Sequence, residues 1–353
     1  MTKRPRALKK DDTRMKKYGG KTGFKNLVAA VFFAGAVSSA SAQENPIELS
    51  WPVDCELGSS CWVARYMDRS IDKGRLDYQC GARTQDAHNG TDIAIADLSA
   101  MARGVNVKAA ADGVVFRLRT GMQDVRVTPE TRGEITKRGC GNIVILRHAG
   151  GWQTHYCHMK QGSIQVAQGD RVEAGQVIGQ VGLSGLTEFP HLHFMVRAPR
   201  TGEGRPRSTD PFDGGRFEDG TCDQDLNPLW DKEFAYQPAA IMPPVIDSKQ
   251  RTRATMWEAQ EASLPTSAKA IIVQSRGFHT IKGDIWQIRL MDPDGTVRVN
   301  QSIEQKRDRQ QVQAFAGLRK PAAGFKAGVW TAEVTLVRAQ HTMGSVSGSI
   351  VVR

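Results

Sequence analysis

The chain has 353 residues, of which 40% are hydrophobic and 24% charged, and a formal net charge of +11. Such a composition excludes a disordered or fibrous chain, and the length exceeds one ordinary domain, so two folded units are expected. The charge invites a nucleic-acid reading, but ten Lys and Arg fall within residues 1–25 against only Asp11 and Asp12, and beyond residue 42 there remain 38 basic and 35 acidic residues, a surplus of three; no nucleic-acid partner is expected.

Residues 1–42 read as a signal peptide: a long basic stretch, the apolar run Leu27 to Val37, and Ala40-Ser41-Ala42 as a small-residue cleavage site. An uncleaved anchor is the alternative, but the run is short for a membrane span, and no other stretch is a candidate. The mature chain is therefore expected in the periplasm or outside the cell, and not as an integral membrane protein. Its six cysteines, Cys55, Cys61, Cys80, Cys140, Cys157 and Cys222, form an even set that suits an oxidising compartment. Six cysteines allow fifteen pairings. Cys140 with Cys157 is the expected pair, because the two flank strand-like runs joined through Gly150-Gly151. Buried free thiols are the plain alternative, and the absence of any CxxC pair argues against zinc held by cysteine.

Residues 43–82 hold Pro46, Pro52, three cysteines and little periodicity, and are expected to be an irregular, cysteine-stapled lead-in. Its Tyr66-Met67-Asp68 and Arg75-Leu76-Asp77-Tyr78 patches are expected to pack rather than to line a groove. In Ala87 to Ala96, His88 and Asp92 are four apart, but the intervening Asn89-Gly90 breaks helices, and the Ile/Ala alternation that follows is that of a strand. The segment is a loop entering a strand, where side chains can converge on a site. From Val105 to Gly185 short strands alternate with glycine turns, which predicts an antiparallel, all-β unit. The polar stretch between Arg119 and Arg138 is expected to be a long loop at its rim.

A period of two places Thr154, Tyr156 and His158 on one face of their strand and His155 with Cys157 on the other, and His148 reads as a structural residue beside a turn. Pro190 suits the first residue of a strand in which Leu192, Phe194 and Val196 pack, while His191, His193 and Met195 share the other face. Residues 236–268 are expected to be a linker, on the strength of Pro238, Pro243 and Pro244. Residues 269–353 carry strand-like runs and the hairpin turn Asp294-Gly295, the texture of a small β-sandwich. Within that second unit His279 and His341 sit alone among turn residues and are expected to be solvated.

The residues free to converge are His88, Asp92, His158, His191 and His193. Two histidines and one carboxylate make a catalytic-type zinc site with a fourth position open, where zinc activates water and polarises a carbonyl. The motifs His88-Asn89-Gly90-Thr91-Asp92, Tyr156-Cys157-His158 and Pro190-His191-Leu192-His193-Phe194, in this order, resemble those of lysostaphin/LytM-type zinc peptidoglycan endopeptidases. The connecting text Ala110 to Val115, Gly169 to Val172 and Gly182-Leu183-Ser184-Gly185 resembles theirs as well.

The resemblance covers about His88 to Val196 and implies a LytM-like peptidase domain over residues 83–235, built as a compact antiparallel β-sheet with a groove over the metal. It implies Zn2+ as cofactor, held by His88, Asp92 and His193, and His158 and His191 as unligated catalytic histidines. The implied activity is hydrolysis of peptide bonds in peptidoglycan stem peptides or crosslinks by zinc-activated water, with endopeptidase and carboxypeptidase action both open. The alternatives are a non-catalytic LytM-like regulator of cell-wall amidases and a cell-wall binding protein. The insertion between Arg119 and Arg138, the cysteine-rich lead-in, Met195 and the C-terminal unit, whose partner is unknown, depart from the family's common core.

Overall fold

The computed structural model describes residues 47–199, 207–223 and 227–353. The expected signal peptide, residues 1–42, lies outside them. The architecture is mainly β, and every strand pair is antiparallel. The first unit contains the strands β1 Cys61–Arg65, β2 Thr91–Ile95, β3 Asn106–Lys108, β4 Gly113–Arg119, β5 Asn142–Arg147, β6 Gln153–Met159, β7 Arg171–Val172, β8 Val177–Gln180, β9 His191–Arg197 and β10 Ser208–Thr209, with the short helices α1 Leu98–Arg103 and α2 Pro129–Thr136. The main sheet runs in the order β1-β2-β9-β6-β5-β4-β7, β10 joins it at β9, and β3 and β8 form a separate ribbon.

Alternation sorts the central strands. Ile93, Ile95, Tyr156, Leu192, Phe194 and Val196 point into one core, together with Val63 from the lead-in and Trp230 and Phe212 from beyond the last strand. The opposite face carries Asp92, His191 and His193, because Asp92 sits opposite His193 and Ala94 opposite His191 in the β2–β9 register. The lead-in is thus less irregular than expected: Cys61–Arg65 is an edge strand of the sheet, with Cys61 opposite Ile95. Its first four residues alternate between two cores, Cys61 and Val63 in one and Trp62 and Ala64 in the other, so no polar position among them marks the period in sequence. The stretch between Arg119 and Arg138 is a rim loop as expected, but it holds α2, which is capped by Thr128 with Pro129 in its first turn and buries none of its residues.

Three disulfides, Cys55–Cys61, Cys80–Cys222 and the expected Cys140–Cys157, use all six cysteines. That complete pairing is the usage of a chain from an oxidising compartment. Among the described residues no helix is long and apolar enough to cross a membrane.

The second unit consists of β11 Ala240–Asp247, β12 Ala270–Thr280, β13 Ile285–Met291, β14 Val297–Glu304, β15 Arg309–Arg319, β16 Gly328–Arg338 and β17 His341–Val352. They form a three-stranded sheet, β11-β12-β15, and a four-stranded one, β14-β13-β16-β17. Ile246, Ile271 and Val273 of the first share one core with Trp286, Ile288, Trp330 and Val334 of the second, which makes the unit a β-sandwich. Residues 236–268 are therefore not simply a linker. β11 lies within them, and the Met242-to-Val245 bulge absorbs Pro243 and Pro244 on an edge strand, where their missing N–H groups leave no ladder partner unpaired.

A third cluster joins the units: Trp62, Ala64, Ala94 and Phe189 from the first meet Met242, Met256, Trp257 and Phe278 from the second. His279 belongs to this junction and corrects the expectation of a solvated residue. It has φ 55°, which turns its ring inward, and it is buried, with Nε2 2.6 Å from Ala64 O; a carbonyl can only accept, so Nε2 carries the proton. Burial first, then Arg83, hold its pKa well below the ordinary value. Because the folded pKa is depressed, the stabilisation is complete above about pH 6.5 and is lost as pH falls, by up to ~1.4 kcal/mol per pH unit for this one group. The melting temperature is expected to drop between pH 7.5 and pH 5, and His279→Asn to flatten that dependence; calorimetry at both pH values checks the difference in slope.

Candidate metal centre and its cleft

Four segments converge on the exposed end of the sheet face opposite the main core. The loop before β2 brings His88, β2 brings Asp92, β6 brings His158, and β9 brings His191 and His193. His88 Nε2 lies 3.0 Å from Asp92 Oδ1, His193 Nδ1 lies 2.8 Å from the same oxygen, and the two ring nitrogens are 3.2 Å apart. Three donors around one ion at ordinary zinc distances would be spaced by roughly 3.3 Å, so the set needs little adjustment to hold one, and these are the described residues whose ligand atoms cluster in this way. His88 Nδ1 is 2.7 Å from Tyr66 O, which fixes the proton on Nδ1 and leaves the Nε2 lone pair facing the cluster.

Asp92 is fully surrounded. Its Oδ2 accepts from Arg65 Nη1 at 2.8 Å, and Oδ1 also lies 3.4 Å from His191 Nε2. Burial would raise its pKa, but His88, His191 and His193 together hold it well below the ordinary carboxylate value, so it is an anion throughout the physiological range. Burial lowers the His193 pKa, against the pull of Asp92, and so favours the neutral imidazole that a metal requires.

The other two imidazoles form a second layer. His191 Nδ1 is 2.9 Å from Phe189 O and 3.1 Å from Thr187 Oγ1, and His158 Nδ1 is 2.8 Å from Ser184 O. Both carbonyls accept from Nδ1, which leaves Nε2 of His158 as an acceptor and Nε2 of His191 facing Asp92 Oδ1. The rings lie 4.7 Å apart, and Phe189 stacks on His191 at 4.5 Å. Burial, followed by His191 and His193, lowers the His158 pKa well below the ordinary value.

His158 reaches this position by a route that alternation does not foresee. In the β6–β9 register Cys157 sits opposite His193 and Tyr156 opposite Phe194. An unbroken strand would therefore send His158 to the core side with Tyr156, and it is His155, not His158, that shares the parity of His193. His158 instead takes φ 61°, its N–H donates to Cys140 O, and the left-handed residue returns its ring to the site face. The Cys140–Cys157 disulfide and Ser184, whose Oγ donates to Met159 O and accepts from Asn142 N, brace that kink. His155 stays outside the site, buried with its pKa lowered to about 3, chiefly by burial. His148 is structural as expected, bridging Asp112 O and Thr154 Oγ1.

The cleft over these groups, about 300 Å³, has walls that sequence reasoning missed: Arg65, Val127 and Arg132 from the first unit and Arg253, Gln310 and Gln311 from the second. Arg253 and Arg132 both pair with Glu188 at its edge. The β1–β2 register, invisible in sequence, is what brings Arg65 opposite Asp92.

The antiparallel sheet thus presents a His/Asp/His cluster that could hold a metal ion, beside two further imidazoles. Comparison with known proteins falls on the same elements: residues 86–207 match Peptidase family M23, so the chain contains an M23 peptidase domain, as the motifs led one to expect. It is 37% identical over 111 residues to the DD-carboxypeptidase/endopeptidase Mpg of Neisseria meningitidis and 33% identical over 109 residues to the peptidoglycan DD-endopeptidase ShyA of Vibrio cholerae, in each case across 31% of this chain. The chain spans about 20% of the length of these relatives. Among solved structures, the catalytic domain of lysostaphin from Staphylococcus simulans is similar at 26% identity, over 36% of this chain and 77% of that one, with a TM-score of 0.25.

Gly90 marks how closely the site is packed. A Cβ there would lie 2.5 Å from Phe194 O and 2.9 Å from His193 Nε2. Gly90→Ala is expected to cost about 1–3 kcal/mol of stability and to weaken metal binding by displacing His193, whereas Gly133→Ala, in open space on α2, is neutral or stabilising. Thermal melts with and without zinc compare the two.

Proposed function

We propose that this chain is a zinc metallopeptidase that hydrolyses peptide bonds in peptidoglycan stem peptides or crosslinks, acting in the periplasm or outside the cell. The observation that carries the reading is the convergence of three metal-type donors within about 3 Å of one another, beside two imidazoles whose Nδ1 atoms are tied to backbone carbonyls. The peptidoglycan substrate is taken from the relatives, which are named for it. His88, Asp92 and His193 would hold the metal; bound there, zinc would lower the pKa of a water to about 7 and polarise the scissile carbonyl.

His158 and His191 supply the proton chemistry. Each has Nδ1 tied to a carbonyl, so the neutral ring can accept a proton at Nε2 and, once protonated, donate from the same atom. One takes the proton of the attacking water, and an imidazolium beside the substrate then donates to the oxyanion or to the departing amine. The depressed pKa of His158 keeps it in the accepting form at neutral pH. Arg65 holds Asp92 from behind, so the carboxylate keeps its orientation while its other oxygen serves the metal. The complete donor set gives no support to a non-catalytic amidase regulator.

Purified mature chain with zinc is expected to release new muropeptides from peptidoglycan, chelation to abolish the release, and added zinc to restore it. His193→Ala should lose both zinc and turnover. His191→Ala should keep zinc and lose roughly 10²-fold or more in rate. Metal analysis beside muropeptide mass spectrometry separates the outcomes; an active chelated enzyme overturns the reading.

A further inference from the structure

Next to the metal cleft lies a larger cavity, about 620 Å³, within the range that ordinary ligand sites occupy. It shares Arg65, Arg253, Gln310 and Gln311 with the cleft, so the two form one continuous depression. Its lining adds Arg75 from the lead-in and Arg309 from the start of β15, against a single acid, Asp308. Taken together, the walls of cavity and cleft present five arginines, Arg65, Arg75, Arg132, Arg253 and Arg309, against Asp92, Glu188 and Asp308.

The partners of these groups define what is left over. Asp92 is taken by Arg65, and Glu188 by Arg253 and Arg132. Asp308 accepts from the Lys282 N–H. Arg75 and Arg309 are exposed and form no ion pair among the described residues. Gln310 donates to Thr84 O, which fixes β15 against the loop before β2 and holds this wall in place. Two unpaired guanidinium forks backed by further positive charge suit a carboxylate by shape and by charge. None of the residues that build it lies within the stretch that matches the peptidase family, residues 86–207.

We propose that this cavity is a substrate subsite that binds a carboxylate of the peptide being cut, with Arg75 and Arg309 as its anchors. The inference rests on the peptidase reading and adds to it the substrate class: an acidic peptide whose free carboxylate lies to one side of the scissile bond. The lead-in and the sandwich acquire a role thereby, since each contributes one anchor.

The test is calorimetric binding of a soluble disaccharide-peptide fragment of peptidoglycan, as free acid and with its carboxylates amidated. The host is the full mature chain carrying His191→Ala to stop turnover. The free acid is expected to bind at least tenfold more tightly than the amide, and raised salt is expected to narrow the gap. Adding Arg75→Gln and Arg309→Gln should erase the preference, while Arg309→Lys should retain part of it. Equal affinity for the two forms, no binding of either, or an unchanged preference in the double variant overturns the subsite. Hydrolysis by the chain with His191 intact is measured separately: an active enzyme indifferent to amidation removes the subsite alone, and selective binding without hydrolysis removes the peptidase reading alone.

Discussion

The Asp92 carboxylate is the constraint on which the rest depends. It is almost wholly out of water, where an unpaired anion would cost several kcal/mol. Arg65 on β1, His88 on a loop, and His191 and His193 on β9 all point at it, and each comes from a segment that must therefore arrive in register. Shifting β1 by one residue would turn Arg65 away, and shifting β9 would send both histidines into the core. The same buried charge that makes a metal welcome thus also fixes the alignment of three strands.

Much of this was legible in the chain. The spacing His191-Leu192-His193 gave one face to the core and one to the site because a strand alternates, and Asn89-Gly90 before an alternating run announced a loop entering a strand. The pairing of Cys140 with Cys157 followed from the hairpin between them. What escaped were features that depend on partners distant in sequence. Arg65 acquires meaning only through the β1–β2 register. His158 points the right way because one residue takes a left-handed conformation, so alternation along β6 gave it a free direction for the wrong reason. His279 looked solvated because turn-like neighbours hide an inward-turned residue, and the Pro243-Pro244 pair masked an edge strand by looking like a linker.

The parts outside the family match both reach the cleft. The lead-in lends a strand to the main sheet and Arg65 to Asp92; the sandwich lends Arg253, Gln310 and Gln311 to the cleft wall. The sandwich covers the polar face, where Trp62, Ala64 and Ala94 beside the histidines leave apolar surface to bury, whereas the lead-in also sends Leu49, Val63, Tyr66 and Tyr78 into the core of the opposite face.

Phe189 ties that covering to the chemistry. Its ring lies between His191, at 4.5 Å, and Trp257, at 5.1 Å, and both stacks are nearly parallel. An imidazole of the first unit is thus buttressed, through one aromatic ring, by a tryptophan of the second. The two units share this column of rings, and removing the sandwich would uncover Phe189 on the side away from His191. Loss of order in the sandwich would therefore reach an imidazole of the metal cleft through a single ring.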